Sequence, residues 1–165
     1  MTIGQNAIGA NFDQASDTPL FELGTIMLGQ GGKIYIYLQA NGAVTGDGYV
    51  VSYQEDLDAA MIDTDTAATV TAGRNIAVAE CAVTDNYYFW GQVYGPCGVM
   101  SEASALADSK LAPTADAGQV DDASATPGTK YIDGLVFGTA TGGADAVNTT
   151  AYLNWPKIEL VGTYA

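Results

Sequence analysis

The stretch Lys33-Ile34-Tyr35-Ile36-Tyr37-Leu38-Gln39 decides the fold class, because its side chains alternate with the two-residue period of a β-strand. Ile34, Ile36 and Leu38 fall on one face, and Tyr35 and Tyr37 fall on the other. We therefore expect both faces of this strand to be covered, at least in part. Asn41-Gly42 follows at once and suits the left-handed conformations of a tight hairpin turn, which predicts residues 43–45 as the partner strand.

Further runs of β-branched and aromatic residues, bounded by glycine, predict more strands along the chain. One strand is predicted over residues 49–53. Residues 75–83 and 87–94 flank Thr84-Asp85-Asn86 and predict a second hairpin, which ends at Gly95-Pro96.

The second half of the chain alternates between loop-like and strand-like stretches. Residues 55–68 predict a loop with at most one helical turn. Residues 101–126 are rich in Ala, Ser, Asp and Gly, so we expect a long surface excursion with at most one short strand. Strands are predicted over residues 131–137, 151–155 and 157–161.

About eight short strands and few helix signals predict an all-β fold, either an antiparallel β-barrel or a two-sheet β-sandwich, with long loops and under about 15% helix. Residues 1–165 are expected to form a single β domain. Residues 1–19 are mostly small or polar and end in Asp17-Thr18-Pro19, which predicts an extended N-terminal arm. The predicted core positions alternate along the strands: Ile34, Ile36, Leu38, Val78, Phe89 and Val93.

The chain is strongly acidic, with 19 acidic residues, five basic residues and a net charge of -14. A field of this sign repels polyanions. The basic residues form no cluster that would neutralise several phosphates, because they are spread through the sequence as Lys33, Arg74, Lys110, Lys130 and Lys157. We therefore expect no nucleic-acid partner and no membrane partner.

Localisation and redox state are predicted from the same sequence. No stretch approaches the roughly 18 apolar residues of a membrane helix, and no basic segment followed by an apolar run opens the chain. We expect synthesis in the cytoplasm. Cys81 and Cys97 are expected to be buried thiols because the cytosol is reducing, while a bridge between them remains an alternative.

The sequence offers little for catalysis. Histidine is absent, which removes the usual general base and every Ser-His or Cys-His nucleophile arrangement. Neither cysteine has a local activating cation or a Cys-x-x-Cys partner. Gly29-Gln30-Gly31-Gly32-Lys33 lacks the spacing of a phosphate loop and precedes a strand, so it predicts a turn. We expect no enzymatic activity, no catalytic residue and no cofactor.

Acidic residues leave two further interpretations open. Asp63-Thr64-Asp65-Thr66 has oxygen ligands at alternating positions, as calcium requires, but the glycine and distal glutamate of a helix-loop-helix site are absent. We expect a solvated loop there and no metal site. Glycoside hydrolysis needs two carboxylates about 5 to 9 Å apart in a cleft, and the many acidic residues single out no pair.

Aromatic residues alternate along one predicted strand, through Tyr87, Tyr88, Phe89, Trp90 and Tyr94. Neither face of that strand is strongly polar, so we expect it to belong to the core and to a subunit interface. An exposed platform for stacking sugars is the alternative interpretation.

Three stretches resemble the capsid decoration, or cement, proteins of tailed bacteriophages. These are Phe21-Glu22-Leu23-Gly24-Thr25, residues 29–44 beginning Gly29-Gln30-Gly31-Gly32-Lys33, and the aromatic residues 86–96 ending in Gly95-Pro96. They lie within residues 21–96, which is about half of the chain, and no resemblance extends beyond about residue 100. The matching motifs are structural rather than chemical.

The resemblance implies a β-rich, non-enzymatic protein on the outer surface of the virion's icosahedral capsid. Such proteins often act as homotrimers, bind the major capsid protein and bridge neighbouring subunits against the pressure of packaged DNA. An acidic surface fits this role, because electrostatic repulsion keeps it off DNA.

Two regions are candidates for the capsid or subunit interface. One is the arm around Leu20, Phe21 and Leu23, and the other is Trp155-Pro156. A different interpretation assigns Phe21 and Leu23 to the first strand of the chain's own core. At the level of function, the alternative to capsid decoration is a carbohydrate-binding or receptor-binding β module of a phage tail or fibre, which an exposed groove with Trp90 or Trp155 beside carboxylates would favour.

Overall fold

The computed structural model describes residues 6–7, 9–64, 70–123, 129–143 and 147–160. Over these ranges the chain is nearly all β, with one 3-10 turn at Gln30–Gly32, so the all-β prediction is confirmed. The strands are β1 (Asn6–Ala7), β2 (Ala10–Asn11), β3 (Ile26–Leu28), β4 (Ile34–Ala40), β5 (Val50–Tyr53), β6 (Asp58–Met61), β7 (Asn75–Ala79), β8 (Tyr88–Ser101), β9 (Leu111–Pro113), β10 (Val120–Asp122), β11 (Lys130–Phe137) and β12 (Val147–Leu160).

Ten of the strands belong to one sheet, in the order β10-β9-β11-β12-β8-β7-β5-β6-β4-β3, and β1 pairs with β2 separately. Strand β8 also pairs with β4 and with β10, so the series of neighbouring strands leads back to β8 from both ends. The first circuit therefore runs β8-β7-β5-β6-β4 and back to β8, and the second runs β8-β12-β11-β9-β10 and back to β8. In each circuit one pairing is parallel, β4 with β6 and β10 with β8, and the others are antiparallel.

Strand β8 is long enough to serve both circuits. Its residues 88–94 pair with β4, and its residues 94–101 pair with β12. Gly95 lies where the two halves meet and has a φ of 95°. A Cβ at this position would lie 2.9 Å from the carbonyl oxygen of Gly32, so only glycine permits the close approach. The predicted strand end at Gly95-Pro96 is wrong, because β8 continues through both residues.

The two predicted hairpins have different outcomes. Strands β7 and β8 pair antiparallel, with Val78 opposite Gln92, as the second hairpin requires. The hairpin at Asn41-Gly42 is wrong. Gly42 does adopt a positive φ of 105°, but the following segment leaves β4, and Val44 forms an isolated bridge with Val83.

Two segments predicted as loops contain strands. Within residues 55–68, β6 completes the first circuit, and residues 65–69 lie outside the described part. Within residues 101–126, β9 and β10 complete the second circuit. Ala105, Leu111 and Val120 are fully buried, so this region contributes core residues and is more than a surface excursion. Residues 151–155 and 157–161 were predicted as separate strands, whereas β12 runs unbroken through Pro156 to Leu160.

The core divides into clusters that follow the circuits. One cluster combines apolar residues of the first circuit, including Leu38, Val51 and Phe89, and another combines residues of the second circuit with parts of β5 and β7. Of the predicted core positions, Ile34 is only partly buried. The other five are buried: Ile36, Leu38, Val78, Phe89 and Val93.

Of the arm predicted over residues 1–19, residues 1–5 and 8 lie outside the described part of the chain, and residues 10–19 lie against the domain. Phe12 is completely buried, and Ala10 is nearly so. The backbone N–H of Ser16 donates to the carbonyl oxygen of Tyr88, and Tyr88 donates back to Ser16. Residues 10–21, called here the N-terminal segment, therefore cover the face of β4 and β8 that carries Tyr35, Tyr37 and Trp90.

Candidate protein-contact surfaces

No group of three or more Cys, Asp or Glu side chains that would hold a metal ion occurs among the described residues. Asp65 and Thr66, part of the calcium interpretation, lie outside them. Cys81 and Cys97 are free thiols. Burial is the main cause that raises the pKa of Cys81 to about 11 and that of Cys97 to about 12. Both thiols are therefore protonated at neutral pH and are weak nucleophiles.

Lys33 and Glu80 form a largely buried ion pair, with 3.3 Å between Nζ and Oε1. The hydroxyl of Tyr35 donates a hydrogen bond to the same carboxylate oxygen, also at 3.3 Å. Burial, and next the charge of Glu80, raise the pKa of Tyr35 above its ordinary value. These contacts tie the beginning of β4 to the end of β7, so the ion pair has a structural role.

An aromatic cluster holds the N-terminal segment on the sheet. Phe12 stacks on Tyr35, and its ring meets Trp90 edge-on at a centroid distance of 5.4 Å. Phe21 meets the rings of Trp90 and Tyr37 at 5.1 and 5.4 Å. Trp90 is only 2% exposed. The chain therefore covers Trp90 itself, and this side chain provides no open platform for a sugar ring.

Three large apolar side chains near this cluster in sequence face solvent: Leu20, Ile26 and Leu28. Leu20 lies beside the cluster, whereas Ile26 and Leu28 lie on the face of β3 opposite Met27, which packs against the cluster. Leu20 is 67% exposed and Leu28 is 73% exposed. The position of Leu20 is fixed, because its backbone N–H donates to the Tyr37 hydroxyl at 3.1 Å. These three side chains, called here the N-terminal apolar surface, lie on two faces of the sheet near its β3 edge and are exposed on described backbone.

Trp155 lies at a bulge between β11 and β12. The register passes from Asp133 opposite Lys157 to Leu135 opposite Leu153, so Gly134 alone faces residues 154–156. Gly134 has a φ of 79°, and a Cβ there would lie 2.5 Å from the carbonyl oxygen of Asn154. Trp155 itself has a φ of 49°, which is a strained conformation for a bulky residue.

The strained Trp155 side chain is 49% exposed, whereas the next residue, Pro156, is buried. On the same two strands, Val136 and Tyr152 are register partners, and both are exposed. Tyr152 packs edge-on against Tyr94 at a centroid distance of 5.8 Å. Val136, Tyr152 and Trp155 form the β11–β12 surface, which belongs to the second circuit.

The predicted contact residues thus fall in two places. Leu20, Phe21 and Leu23 surround the aromatic cluster, where Phe21 and Leu23 are partly buried and pack against it. Trp155 and Pro156 lie at the bulge. The sequence interpretation missed Ile26 and Leu28, although the apolar run between Thr25 and Gly29 was a signal. It also missed Val136 and Tyr152, which lie on predicted strands but gave no sign of facing solvent.

Comparisons with known protein families, with curated proteins and with solved structures find no match for this chain. Among its described residues, no helix is long and apolar enough to cross a membrane.

Proposed function

We propose that this chain is a viral structural protein that binds the outer surface of an icosahedral phage capsid and stabilises it by bridging capsid subunits. The observation that carries the proposal is the presence of two exposed apolar surfaces on different parts of the fold. Leu20 of the N-terminal apolar surface lies beside β4 of the first circuit and is the capsid contact proposed there, and the β11–β12 surface belongs to the second. A bridging protein needs two such surfaces, whereas a protein that binds one partner needs only one.

We infer further that each circuit is a small five-stranded barrel and that the two barrels share β8. A closed arrangement leaves few free strand edges, and one continuous strand through both would fix their contact surfaces relative to each other. Such rigidity suits a clamp, because contacts on two neighbouring subunits then resist their separation. The sequence resemblance to capsid decoration proteins supports the same function.

The partner we propose is the major capsid protein, and the oligomer is a homotrimer on the outside of the virion. Several copies of a weak contact give strong attachment when they engage one lattice together. The net charge of -14 disfavours contact with DNA and also opposes association between copies at low ionic strength. Sedimentation should therefore show stronger self-association as salt rises from low to physiological concentration. An oligomer that dissociates over this range would contradict the electrostatic part of the proposal.

Binding to purified shells of the phage that encodes the chain tests the function directly. Co-sedimentation should give saturable binding of the wild type and weaker binding of Leu20→Ser and Trp155→Ser. Leu106→Ser is the matched control, because Leu106 is also exposed, at 59%, and lies outside both surfaces. Wild-type protein that does not bind these shells would refute the proposal. If the protein binds, electron cryomicroscopy of the decorated shells would locate its density.

Trp155 also supports a second candidate, a carbohydrate-binding or receptor-binding module of a phage tail or fibre. A half-exposed indole is able to stack on a sugar ring, and Trp155 has this exposure where Trp90 does not. Calorimetric titration of the chain with host surface polysaccharide separates the two functions. A saturable change that Trp155→Ser abolishes, together with no binding to shells, would favour the second candidate.

A further inference from the structure

Strand β3 is the terminal strand of the ten-stranded sheet, and its only partner in the described chain is β4. Just before β3, the carbonyl oxygen of Thr25 accepts a hydrogen bond from the N–H of Tyr37 at 2.9 Å. Just after β3, the N–H of Gly29 donates to the carbonyl oxygen of Lys33 at 2.8 Å. Antiparallel ladders alternate between hydrogen-bonded and non-hydrogen-bonded pairs. Met27, opposite Tyr35, is therefore a hydrogen-bonded position.

Ile26 and Leu28 are consequently the non-hydrogen-bonded positions of the β3–β4 ladder. Their backbone N–H and C=O groups point away from β4, toward the free edge of the sheet. Their side chains also contact solvent, at 46% and 73% exposure. The edge thus offers both unpaired backbone groups and apolar side chains.

Apart from its length of three residues, this edge lacks the features that usually prevent sheets from joining. Natural edge strands carry charged residues, prolines or bulges that block pairing. Residues 23–32 contain no charged residue and no proline, and the register of β3 with β4 is regular from Ile26 to Leu28. In a chain with a net charge of -14, ten consecutive uncharged residues at an open edge indicate a site of strand addition.

We propose that β3 pairs antiparallel with β3 of a second copy of this chain, about a twofold axis that passes through Met27. Ile26 of one copy then lies opposite Leu28 of the other, and each such pair exchanges two backbone hydrogen bonds. Met27 faces itself at a non-hydrogen-bonded position. Leu28, the most exposed large apolar side chain in the described structure, becomes covered.

The absence of charge along the β3 edge favours a second copy of this chain as the strand that pairs there. Most contacts between two copies of so acidic a chain would bring carboxylates together, at a cost in electrostatic energy. In the proposed register, residues 24–30 of one copy lie opposite residues 30–24 of the other, and none of them is charged. The strand is short, so the dimer is weak and needs high protein concentration or a lattice that holds copies side by side.

The pairing needs no capsid and is therefore tested on the isolated protein. Sedimentation at increasing concentration and physiological salt should show pairwise association, between single chains or, where the proposed trimer forms, between trimers. NMR on a mixture of differently labelled copies should show a contact between the Met27 Hα atoms of the two chains, because facing Hα atoms at a non-hydrogen-bonded pair are close. A dimer without this contact would overturn the proposed register, and a monomer at every concentration would overturn the pairing.

Two variants provide independent tests. Ile26→Pro removes an N–H that the β3–β4 ladder does not use, so the fold should persist while dimerisation weakens at least tenfold. Leu28→Lys places a charge at the edge and should have the same effect even where the proline variant is unstable. Leu106→Lys is the matched control and should dimerise as the wild type does. Unchanged dimerisation of Leu28→Lys would refute the proposal.

Shell binding separates this inference from the proposed function. Dimerisation in solution without binding to shells would support the β3 pairing and refute capsid decoration. If the chain stays monomeric but shells shift the amide signals of Ile26 and Leu28, the edge belongs to a contact with the capsid protein, and the self-pairing is refuted.

Discussion

The ring of Phe12 stacks on the ring of Tyr35, with 4.0 Å between the centroids and 10° between the ring planes. This contact joins the N-terminal segment to β4, the strand whose alternation indicated the fold. It also changes how the N-terminal region should be tested. Deleting residues 1–18 would remove Phe12 and expose Tyr35 and Trp90, so loss of capsid binding by that deletion would not distinguish an arm from a damaged fold.

Replacing Phe12 by alanine should lower the free energy of unfolding by about 3 to 5 kcal/mol, because a fully buried aromatic ring is lost and a cavity remains. Reversible denaturation by urea, followed by tryptophan fluorescence, measures the change. Leu20→Ala is the control in the same segment, and its effect should stay within about 0.5 kcal/mol because Leu20 is exposed. A loss below about 1 kcal/mol for Phe12→Ala would mean that the segment detaches in solution.

Ile26 and Ile36 give a matched pair for the core, since they are register partners of the same residue type. Ile36 is only 7% exposed and belongs to the buried apolar cluster of the first circuit, whereas Ile26 is 46% exposed. Ile36→Ala should cost about 2 to 5 kcal/mol of unfolding free energy. Ile26→Ala should cost clearly less. Equal losses in denaturation experiments at low protein concentration would contradict the assignment of Ile36 to the core.

The strands that the sequence predicted best are those with long, regular alternation. Strand β4 was predicted from its own residues, and five of the six core positions proposed from alternation are buried. Predictions from short sequence motifs were wrong where the partner strand is distant in sequence. The chain does bend at Asn41-Gly42, but β4 completes its ladder with β6 and β8. A dipeptide cannot specify which of several later strands fills a sheet edge.

The contact surfaces were harder to predict, because exposure depends on which elements end the sheet. Residues 26–28 have the composition of a buried strand, and only the topology makes β3 an edge. Trp155 faces solvent because Gly134 admits a bulge, and a bulge needs knowledge of both strands. The buried Pro156 shows the same limit, since proline is tolerated in a sheet at edges and bulges, and only the register of β11 with β12 shows that Pro156 lies at a bulge.

Alkaline pH should destabilise the fold. Burial is the largest cause that raises the pKa of Cys81 to about 11 and those of Cys97 and Tyr53 to about 12. In the unfolded chain these groups lose their protons near their ordinary values, about 8.5 for Cys and 10 for Tyr. The folded state thus binds more protons at high pH, and its stability is complete below about pH 8 and falls as pH rises toward the folded pKa values.

Urea denaturation at pH 7.5, 9.0 and 10.0 measures this alkaline decline. Cys97→Ala removes one of the raised groups, so its stability should fall less steeply over the same range, even if its stability at pH 7.5 is lower. Stability that is constant from pH 7.5 to 10 would show that these groups titrate alike in the folded and unfolded chains.

Trp155 should be replaceable by glycine without loss of stability, although it is a tryptophan in the middle of a 14-residue strand. Its positive φ costs an L-residue about 1 to 2 kcal/mol, and glycine avoids that cost. The half-exposed side chain gives up little packing in return, so the free energy of unfolding should stay within about 1 kcal/mol of the wild type. Binding to shells should nevertheless weaken, because the β11–β12 surface loses its largest side chain.

Gly134 faces Trp155 across the bulge, and its substitution should lower stability, whereas substitution of Trp155 by glycine should not. This contrast tests whether the bulge is present. Gly134→Ala sets a Cβ 2.5 Å from the carbonyl oxygen of Asn154 and forces a positive φ on alanine, so it should cost about 1 to 3 kcal/mol or more. Gly42→Ala is the control for φ alone, because nothing lies within 4 Å of its added Cβ, and its cost should be smaller. Loss of more than about 2 kcal/mol in Trp155→Gly would instead make Trp155 a packing residue, and its strained backbone would then need no role in binding.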